Sequence, residues 1–206
     1  MSNLDQFRAL GISELTLSAL ERKGFEEPSP IQRETIPILL NNSGDIIGQA
    51  QTGTGKTAAF AIPILEKCHS NGHVQALVLS PTRELSIQIA EEFNSLKGER
   101  NLSICPVYGG QSIEIQLKRL REGVDIVIGT PGRIIDLLER RGLKIDQLRF
   151  AVLDEADEML NMGFVEDIER IMADANPDKQ MLMFSATMPP EIMKIAEKFM
   201  RDYKVI

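Results

Sequence analysis

Six short apolar runs recur along the chain, and longer segments separate them. The runs are nearly continuous in apolar residues rather than alternating, which is typical of strands buried on both faces of a parallel sheet. They span residues 45–48, 75–80, 102–108, 124–129, 149–154 and 181–185. The segments between them predict helices at residues 56–68, 84–96, 113–121, 133–140, 164–173 and 190–200. This repeated strand-then-helix order predicts an α/β fold, with a mostly parallel sheet and helices on both of its faces.

Residues 1–40 precede the first strand-like run and have a helical pattern. Pro28-Ser29-Pro30 breaks that pattern before a predicted helix at residues 31–40. A chain of 206 residues is long enough for one sizeable core. We therefore expect a helical extension at residues 1–40, attached to a single core domain at residues 41–206.

The charge balance limits how this chain can meet nucleic acid. Lys and Arg number 23 against 30 Asp and Glu, a net charge of −7, which excludes binding by bulk attraction and leaves only local contacts. One stretch with few acids is a candidate surface, although solvated helix faces explain it equally well on charge alone. Its basic residues are Lys118, Arg119, Arg121, Arg133, Arg140, Arg141, Lys144 and Arg149.

Cysteine content and hydropathy bear on the compartment. The chain has two cysteines and no apolar signal segment at its start, so we expect a cytoplasmic protein rather than a secreted one. No apolar run approaches the roughly 18–20 residues that a membrane helix needs, so we expect no membrane span.

A small-residue loop at residues 49–55 lies between a predicted strand and a predicted helix that begins at Lys56. This is the context of a phosphate-binding loop, in which glycines let backbone amides face phosphate oxygens at a helix N-terminus. Lys56 would supply charge to the β and γ phosphates, and Thr57 would offer its hydroxyl to Mg²⁺. Ala50 departs from the general G-x-x-x-x-G-K-[ST] pattern, which leaves a tight strand-to-helix turn as the alternative.

Adjacent acids follow the fifth apolar run, at the edge where open α/β sheets bind ligands. Asp154 could hold Mg²⁺, and Glu155 could orient and deprotonate the water that attacks a γ-phosphate. Capping of the following helix, worth about 1 kcal/mol, would explain one acid but not the three in Asp154-Glu155-Ala156-Asp157. Ser185 and Thr187 follow the last apolar run, so we expect their hydroxyls to reach Asp157 at the same edge.

These residues together resemble the DEAD-box family of ATP-dependent RNA helicases, whose name is spelled at Asp154-Glu155-Ala156-Asp157. The resemblance covers almost the whole chain and implies the first RecA-like P-loop NTPase domain of such an enzyme. In this family alanine is the usual residue at the first position of the phosphate-binding loop, so Ala50 fits the family's form of the motif. The resemblance assigns catalysis to Lys56 and Glu155, and the metal to Thr57 and Asp154. It assigns ATP binding to Ala50, Gln51, Thr52, Gly53, Thr54, Gly55, Lys56, Thr57 and Ala58.

The family's adenine-reading motif matches residues 24–32, with Phe7 upstream. It adds Phe25, Ser29 and Gln32 to the ATP-binding residues. Phe25 offers a face on which adenine can stack, and the Gln32 amide can pair with the N6 and N7 edge. Asp157, Ser185 and Thr187 would couple the nucleotide to a second domain.

Three further motifs match family segments that hold RNA by its sugar-phosphate backbone, and each follows a predicted strand. Turn chemistry explains any one of them alone, whereas their joint occurrence in order favours RNA contact. The assigned residues are Pro81, Thr82, Arg83, Gly109, Gly110, Thr130, Gly132 and Arg133.

The family's motor has two RecA-like domains, and the arginines that reach the γ-phosphate belong to the second. An arginine finger contributes about 10³–10⁵ in rate, so we expect residues 1–206 alone to hydrolyse ATP very slowly. The expected partners are RNA and a second RecA-like domain of the same chain, with the protein a monomer. The alternative from another class is a nucleotide-binding adaptor without useful turnover.

Overall fold

A computed structural model of the chain describes residues 4–206, which form one seven-stranded sheet in which every pair of neighbouring strands is parallel. The order across the sheet is β3-β4-β2-β5-β6-β1-β7. The strands are β1 Ile46–Gln49, β2 Ala76–Leu79, β3 Ile104–Val107, β4 Ile126–Gly129, β5 Phe150–Leu153, β6 Gln180–Ser185 and β7 Lys204–Val205. The predicted parallel α/β fold is confirmed, and each predicted apolar run overlaps a strand to within one residue at the ends of β1 and β6.

Ten helices occupy the described residues; the first three precede β1 and the other seven connect the strands. They are α1 Asp5–Ala9, α2 Glu14–Arg22, α3 Pro30–Leu40, α4 Lys56–Lys67, α5 Arg83–Leu96, α6 Ile113–Glu122, α7 Pro131–Glu139, α8 Ala156–Asn161, α9 Val165–Asp174 and α10 Pro190–Phe199. Within residues 4–206 no helix combines the length and the apolarity that a membrane span requires.

The helices divide between the two faces of the sheet. One buried apolar cluster joins α1 to α5 with alternate strand residues such as Val78 and Phe184. The other joins α6 to α10 with the intervening strand residues, such as Leu79 and Met183. Because successive side chains of a strand point to opposite faces, continuous apolarity in the strands supplies both clusters.

Two elements escaped the sequence pattern because they are short. Helix α8 has six residues, and β7 has two exposed residues that pair with β1. The β7 pairing is backbone only: Lys204 N–H donates to Asp45 O (2.9 Å) and Ile206 N–H donates to Ile47 O (2.9 Å). Such an edge carries no apolar signature.

The N-terminal helices α1 to α3 join the same apolar cluster as α4 and α5. A polar clamp reinforces this packing, since Oε1 of Glu66 near the end of α4 accepts from Ser13 N–H (3.0 Å), Ser13 Oγ (2.8 Å) and Thr16 Oγ1 (2.6 Å). Arg100 Nη2 lies 3.1 Å from the same oxygen, and both charged side chains are 12% exposed. One carboxylate therefore ties the start of α2 to the end of α4.

We expect Glu66→Ala to lower the free energy of unfolding by about 2–3 kcal/mol, because it leaves Arg100 and two hydroxyls without their shared acceptor. Chemical denaturation followed by circular dichroism measures the change. Glu91→Ala, at an exposed position of α5, is the control and should stay within about 0.5 kcal/mol of wild type. Equal effects of the two changes would contradict the clamp.

Candidate functional site

The parallel sheet brings all strand ends of one kind to a single carboxyl edge. The strand order divides that edge into two halves: the loops after β5, β6 and β1 lie together, and the loops after β3, β4 and β2 lie together. The first half receives the predicted nucleotide residues and the second receives the predicted RNA residues. The two halves meet between β2 and β5, where Asp154 N–H donates to Leu79 O at 2.9 Å.

The loop after β1 has the conformation that a phosphate cradle requires. Gly53 and Gly55 adopt φ of +81° and +82°, and residues 51–55 are exposed. Ala50 N–H donates to Ser185 O (3.2 Å) and Thr54 Oγ1 donates to Gln51 O (2.8 Å), which fix the two ends of the loop. Helix α4 starts at Lys56, so its positive end faces the loop, as predicted for an anion site.

A buried ion pair forms the base of this half. Lys56 Nζ lies 3.0 Å from Asp154 Oδ1 and 3.8 Å from Glu155 Oε1, with the side chains of Lys56 and Asp154 7% and 0% exposed. Burial raises the pKa of the Asp154 carboxyl, and the neighbouring Lys56 opposes that change. Burial likewise raises the pKa of Glu155, again opposed by Lys56. Asp154 and Glu155, both with a raised pKa, thus lie beside the same cation, Lys56.

The geometry fits a divalent metal held jointly with a phosphate. Asp154 Oδ2 is buried and has no hydrogen-bond partner, an oxygen free to coordinate a cation. Thr57 lies in the first turn of α4, half-buried. No group of three or more His, Cys, Asp or Glu among residues 4–206 could hold a metal by itself. Mg²⁺ commonly takes only one or two protein carboxylates and completes its shell with phosphate and water.

Glu155 carries backbone strain at this site. It adopts φ 52° and ψ 52°, the left-handed region, which costs a non-glycine residue about 1–2 kcal/mol. Its N–H donates to Asp154 Oδ1 (3.0 Å), which helps to hold the conformation. Its side chain is 25% exposed and borders a cleft of about 300 Å³ together with Lys56 and loop residues 50–52. Of the two acids beside Lys56, Glu155 is therefore the one within reach of water and of a bound ligand.

Asp157 binds the segment after β6, as the sequence predicted. Thr187 donates to Asp157 Oδ2 through N–H (3.0 Å) and Oγ1 (2.9 Å), and Asp157 N–H donates to Ser185 Oγ (3.0 Å). Burial raises the pKa of Asp157, but hydrogen bonds from Thr187 and Ser185 outweigh it and leave the pKa below its usual range. Gln49 Nε2 donates to Ala186 O (3.2 Å), which joins this segment to the end of β1.

The adenine-motif residues contact the phosphate loop directly. Gln32 is 3% exposed; its Oε1 accepts from Ser29 N–H (2.9 Å) and its Nε2 donates to Gly55 O (3.0 Å). Phe25 is half-buried and meets Phe7 edge-to-face at 6.0 Å. Ser29 Oγ is buried without a partner. The Gln32 amide keeps one N–H and one lone pair for a ligand, so an adenine contact adds to these bonds rather than replacing them.

The second half of the edge carries the three predicted RNA loops. Thr82 caps α5 by accepting from Leu85 N–H (3.1 Å), and Thr130 N–H donates to Val107 O (3.2 Å). Gly109, Gly110 and Gly132 are exposed, so their backbone is accessible. These loops occupy three neighbouring strands, which allows one extended strand of nucleic acid to contact all of them.

Two residues that join these loops were not found from the sequence. Tyr108 lies under the Arg83 guanidinium, 4.9 Å from ring centroid to Cζ. Gln116 is 1% exposed; its Nε2 donates to Tyr108 O (3.1 Å) and its Oε1 accepts from Arg133 Nη1 (3.2 Å). The signal available was one polar residue on the apolar face of α6, between Ile113 and Leu120, because a buried amide needs partners.

The basic stretch does not gather at the predicted RNA loops, which corrects one of the two interpretations of its charge. Arg133 alone among its members is assigned to the RNA loops. Arg119 donates to Ile104 O (3.3 Å) and Arg149 to Lys67 O (2.6 Å), both away from the carboxyl edge. Chain neighbours separate because each crossover helix runs from the carboxyl edge to the opposite, amino edge.

Gly55→Ala and Gly53→Ala form a matched pair that isolates the contact between the phosphate loop and Gln32. Both changes place alanine at a positive φ, which costs roughly 1–2 kcal/mol. A Cβ at Gly55 would lie 2.6 Å from Gln32 Nε2, whereas none of the surroundings comes within 4 Å at Gly53. We expect Gly55→Ala to bind a fluorescent ATP analogue on the order of tenfold more weakly than Gly53→Ala, which corresponds to ~1.4 kcal/mol. Equal affinities would contradict the crowding argument.

Comparison with known proteins agrees with this geometry. A family model described as DEAD/DEAH box helicase matches residues 29–195. A probable ATP-dependent RNA helicase of Methanocaldococcus jannaschii is 50% identical over 200 residues, covering 97% of this chain and 54% of the relative. The DEAD-box ATP-dependent RNA helicase CshA of Geobacillus kaustophilus is 52% identical over 201 residues, covering 97% and 43%. The chain thus spans about half the length of these curated relatives.

Solved structures match equally well. The crystal structure of a DEAD box protein from Methanococcus jannaschii has a TM-score of 0.95 at 50% identity, over 98% of this chain and 55% of that one. A hypothetical ATP-dependent RNA helicase from Sulfolobus tokodaii has a TM-score of 0.87 at 37% identity, over 95% and 57%. With a RecA-like sheet, a phosphate loop at its carboxyl edge and Asp154-Glu155-Ala156-Asp157 beside it, this chain belongs to the DEAD-box helicase family.

Proposed function

We propose that this chain is the ATP-binding and RNA-binding first domain of an ATP-dependent RNA helicase, in which ATP hydrolysis drives local unwinding of RNA duplexes. One observation carries the proposal. The Lys56–Asp154 ion pair, with its unpartnered Asp154 oxygen, lies at the same sheet edge as three loops suited to a nucleic-acid backbone. A nucleotide and an RNA strand would therefore bind side by side on one rigid sheet.

Each part of ATP has a complementary group in this site. Adenine would stack on Phe25 and pair with the remaining donor and acceptor of Gln32. The triphosphate would lie on the exposed amides of residues 51–55 and on Lys56. Thr57 and Asp154 would hold Mg²⁺, which neutralises charge on the β and γ phosphates when bound.

Glu155 is the group best placed to activate water. It borders the 300 Å³ cleft beside Lys56, and its pKa is raised by burial, which makes its carboxylate a stronger base than an exposed glutamate. Lys56 would balance the charge that develops on the transferred phosphoryl group.

RNA would bind across the loops after β3, β4 and β2. Arg83 and Arg133 supply the charge, and exposed backbone at Gly109, Gly110 and Gly132 allows close approach of phosphate and sugar. Such contacts carry no base information, so we expect binding without sequence preference; contacts to 2′-hydroxyls would favour RNA over DNA.

Efficient hydrolysis would need a second domain. No arginine lines the 300 Å³ cleft among residues 4–206, so Lys56 is its one basic side chain there. We propose that a second RecA-like domain supplies arginines, and that the Asp157–Thr187 contact couples it to the nucleotide. In this arrangement residues 1–40 carry the adenine motif and residues 41–206 form the first RecA-like domain.

We further propose a monomeric, cytoplasmic protein. Its two cysteines, Cys68 and Cys105, are both free and buried, which suits a reducing compartment. Burial raises the pKa of Cys68 to about 12, so this thiol stays protonated and unreactive.

ATPase assays with and without RNA test the function. We expect the 206-residue chain to show little RNA-stimulated turnover. A chimera that adds the uncovered part of the Methanocaldococcus jannaschii relative should gain about 10³-fold, because an arginine finger contributes that much or more. Glu155→Gln in the chimera should lose on the order of 10²-fold or more, the effect of removing a general base.

Glu166→Gln, at an exposed site of α9, serves as the control and should retain full turnover. Robust RNA-stimulated hydrolysis by the 206-residue chain alone would refute the need for a second domain. A chimera that binds ATP but gains no turnover would favour the adaptor function instead.

Gln116→Ala tests how the RNA loops are held together. The change leaves Arg133 and the Tyr108 carbonyl without their shared partner, so we expect oligouridine binding to weaken about fivefold, measured by fluorescence anisotropy. Affinity for an ATP analogue should not change, because Gln116 does not touch the nucleotide half. Gln88→Ala, at an exposed position of α5, is the control. A parallel loss of ATP affinity would mean general destabilisation and would contradict the positioning role.

A further inference from the structure

A second concave site lies at the amino edge of the sheet, opposite the nucleotide and RNA loops. This amino-edge cleft has a volume of about 460 Å³ and is formed where β4, β2 and β5 begin. Its floor is apolar, formed by Val74, Leu120 and Val124, and its rim carries Arg121, Arg141 and Lys144. Val74 and Val124 are 9% and 2% exposed, whereas the three cations are exposed.

The three rim cations have no partner within the described part of the chain. None of their side chains forms a hydrogen bond, an ion pair or a ring contact there, in contrast to the side chain of Arg119, which belongs to the same stretch and donates to a backbone carbonyl. One acid, Asp146, borders the cleft. In a protein of net charge −7, three unpaired cations around one opening form a local excess of positive charge.

Helix stabilisation accounts for only part of this arrangement. Arg121 lies in the last turn of α6, where the helix dipole favours a cation by about 0.3–1 kcal/mol. Arg141 and Lys144 lie beyond α7, which ends at Glu139. Arg141 also adopts φ 57°, a position after a helix that glycine or asparagine usually takes, at a cost of roughly 1–2 kcal/mol. This conformation belongs to the turn that ends α7, where Arg141 N–H donates to Leu138 O (3.0 Å), and the turn leaves the arginine side chain exposed at the rim.

We infer that the amino-edge cleft docks an acidic peptide segment of a partner protein, with an apolar side chain on the floor and carboxylates on the rim cations. The positive rim favours a negatively charged partner, and the apolar floor favours an apolar side chain as the group that inserts into the cleft. A nucleic-acid strand fits less well, because the floor of Val74, Leu120 and Val124 offers no polar group to a phosphate or a sugar hydroxyl, and His73 is the one ring in the lining on which a base could stack. Docking here leaves the carboxyl edge free for nucleotide and RNA.

Amide NMR spectra of the 206-residue chain, titrated with synthetic peptides, test the inference. The probe is a short peptide with two central leucines flanked by glutamates; its counterparts replace the leucines by serines or the glutamates by lysines. We expect saturable shifts at residues 72–74, 120–124 and 141–147 with the first peptide. The two counterparts should bind at least fivefold more weakly, since each loses either the floor contact or the rim contacts.

Charge reversal supplies the matched control. Arg121→Glu combined with Lys144→Glu should weaken the peptide on the order of tenfold, the combined effect of two exposed charge contacts. Lys118→Glu combined with Arg140→Glu changes the net charge equally at exposed sites that do not line the cleft, and should leave binding unchanged. Circular dichroism and ATP-analogue affinity should be the same for both variants, which shows that the fold persists.

Three results would overturn the inference. Absence of shifts at millimolar peptide would show that the cleft does not dock this class of ligand. An equal loss of peptide affinity in the two charge-reversed variants would show that the effect comes from the net charge and not from the cleft. Displacement of the peptide by oligouridine, with shifts of the same amides, would make the cleft a phosphate site instead.

Discussion

The wholly parallel pairing of the sheet is the constraint on which the site depends. Because every strand runs the same way, each phosphate-binding or backbone-binding loop must emerge at one edge, and the strand order alone decides which loops become neighbours. Here that order places β1, β6 and β5 on one side of β2 and places β4 and β3 on the other. The Asp154 N–H to Leu79 O bond is the point where the two halves meet, two residues before the first RNA loop. The two halves are therefore held on one sheet and are not joined through a flexible linker.

Buried polar contacts then fix the loops to one another. Gln32 links the N-terminal extension to Gly55, Ser185 and Thr187 link the end of β6 to Asp157, and Gln116 links two RNA loops. The buried side chains among these, Gln32, Ser185 and Gln116, would each be costly to bury alone, by about 1–3 kcal/mol for an unmet hydrogen bond. Their satisfaction favours a single arrangement of each loop, and a ligand that needs those loops in place meets a site that is already formed.

The sequence predicts loops better than it predicts the contacts between them. Lys56, Asp154 and Gln32 lie in contiguous motifs whose chemistry is legible residue by residue, and the structure brings all three to one edge. Tyr108 and Gln116 act between motifs, so their partners are set by strand order, which no local pattern encodes. For the basic stretch the error is different: residues close together in the sequence were expected to lie on one surface. Residues adjacent in sequence occupy opposite edges, because a helix of about ten residues carries the chain ~15 Å along the sheet. Helix α8 and strand β7 were too short for any periodicity to appear.

Several groups at the carboxyl edge remain unsatisfied or strained within the protein itself. Asp154 Oδ2 and Ser29 Oγ are buried without partners, and Glu155 holds a left-handed backbone. Thr35 Oγ1 and Gln180 Oε1 also lack partners, but a second buried carboxylate does not: Asp45 accepts from Met181 N–H (2.8 Å) and Arg201 N–H (2.7 Å) with its two oxygens. The difference shows that the fold can satisfy a buried carboxylate where no ligand is needed. A ligand that met the open groups would bind the folded state alone and stabilise it in proportion to RT ln(1 + [L]/Kd). The groups left without partners at this edge thus contribute both to the affinity for a ligand and to the stability that the bound ligand adds to the domain.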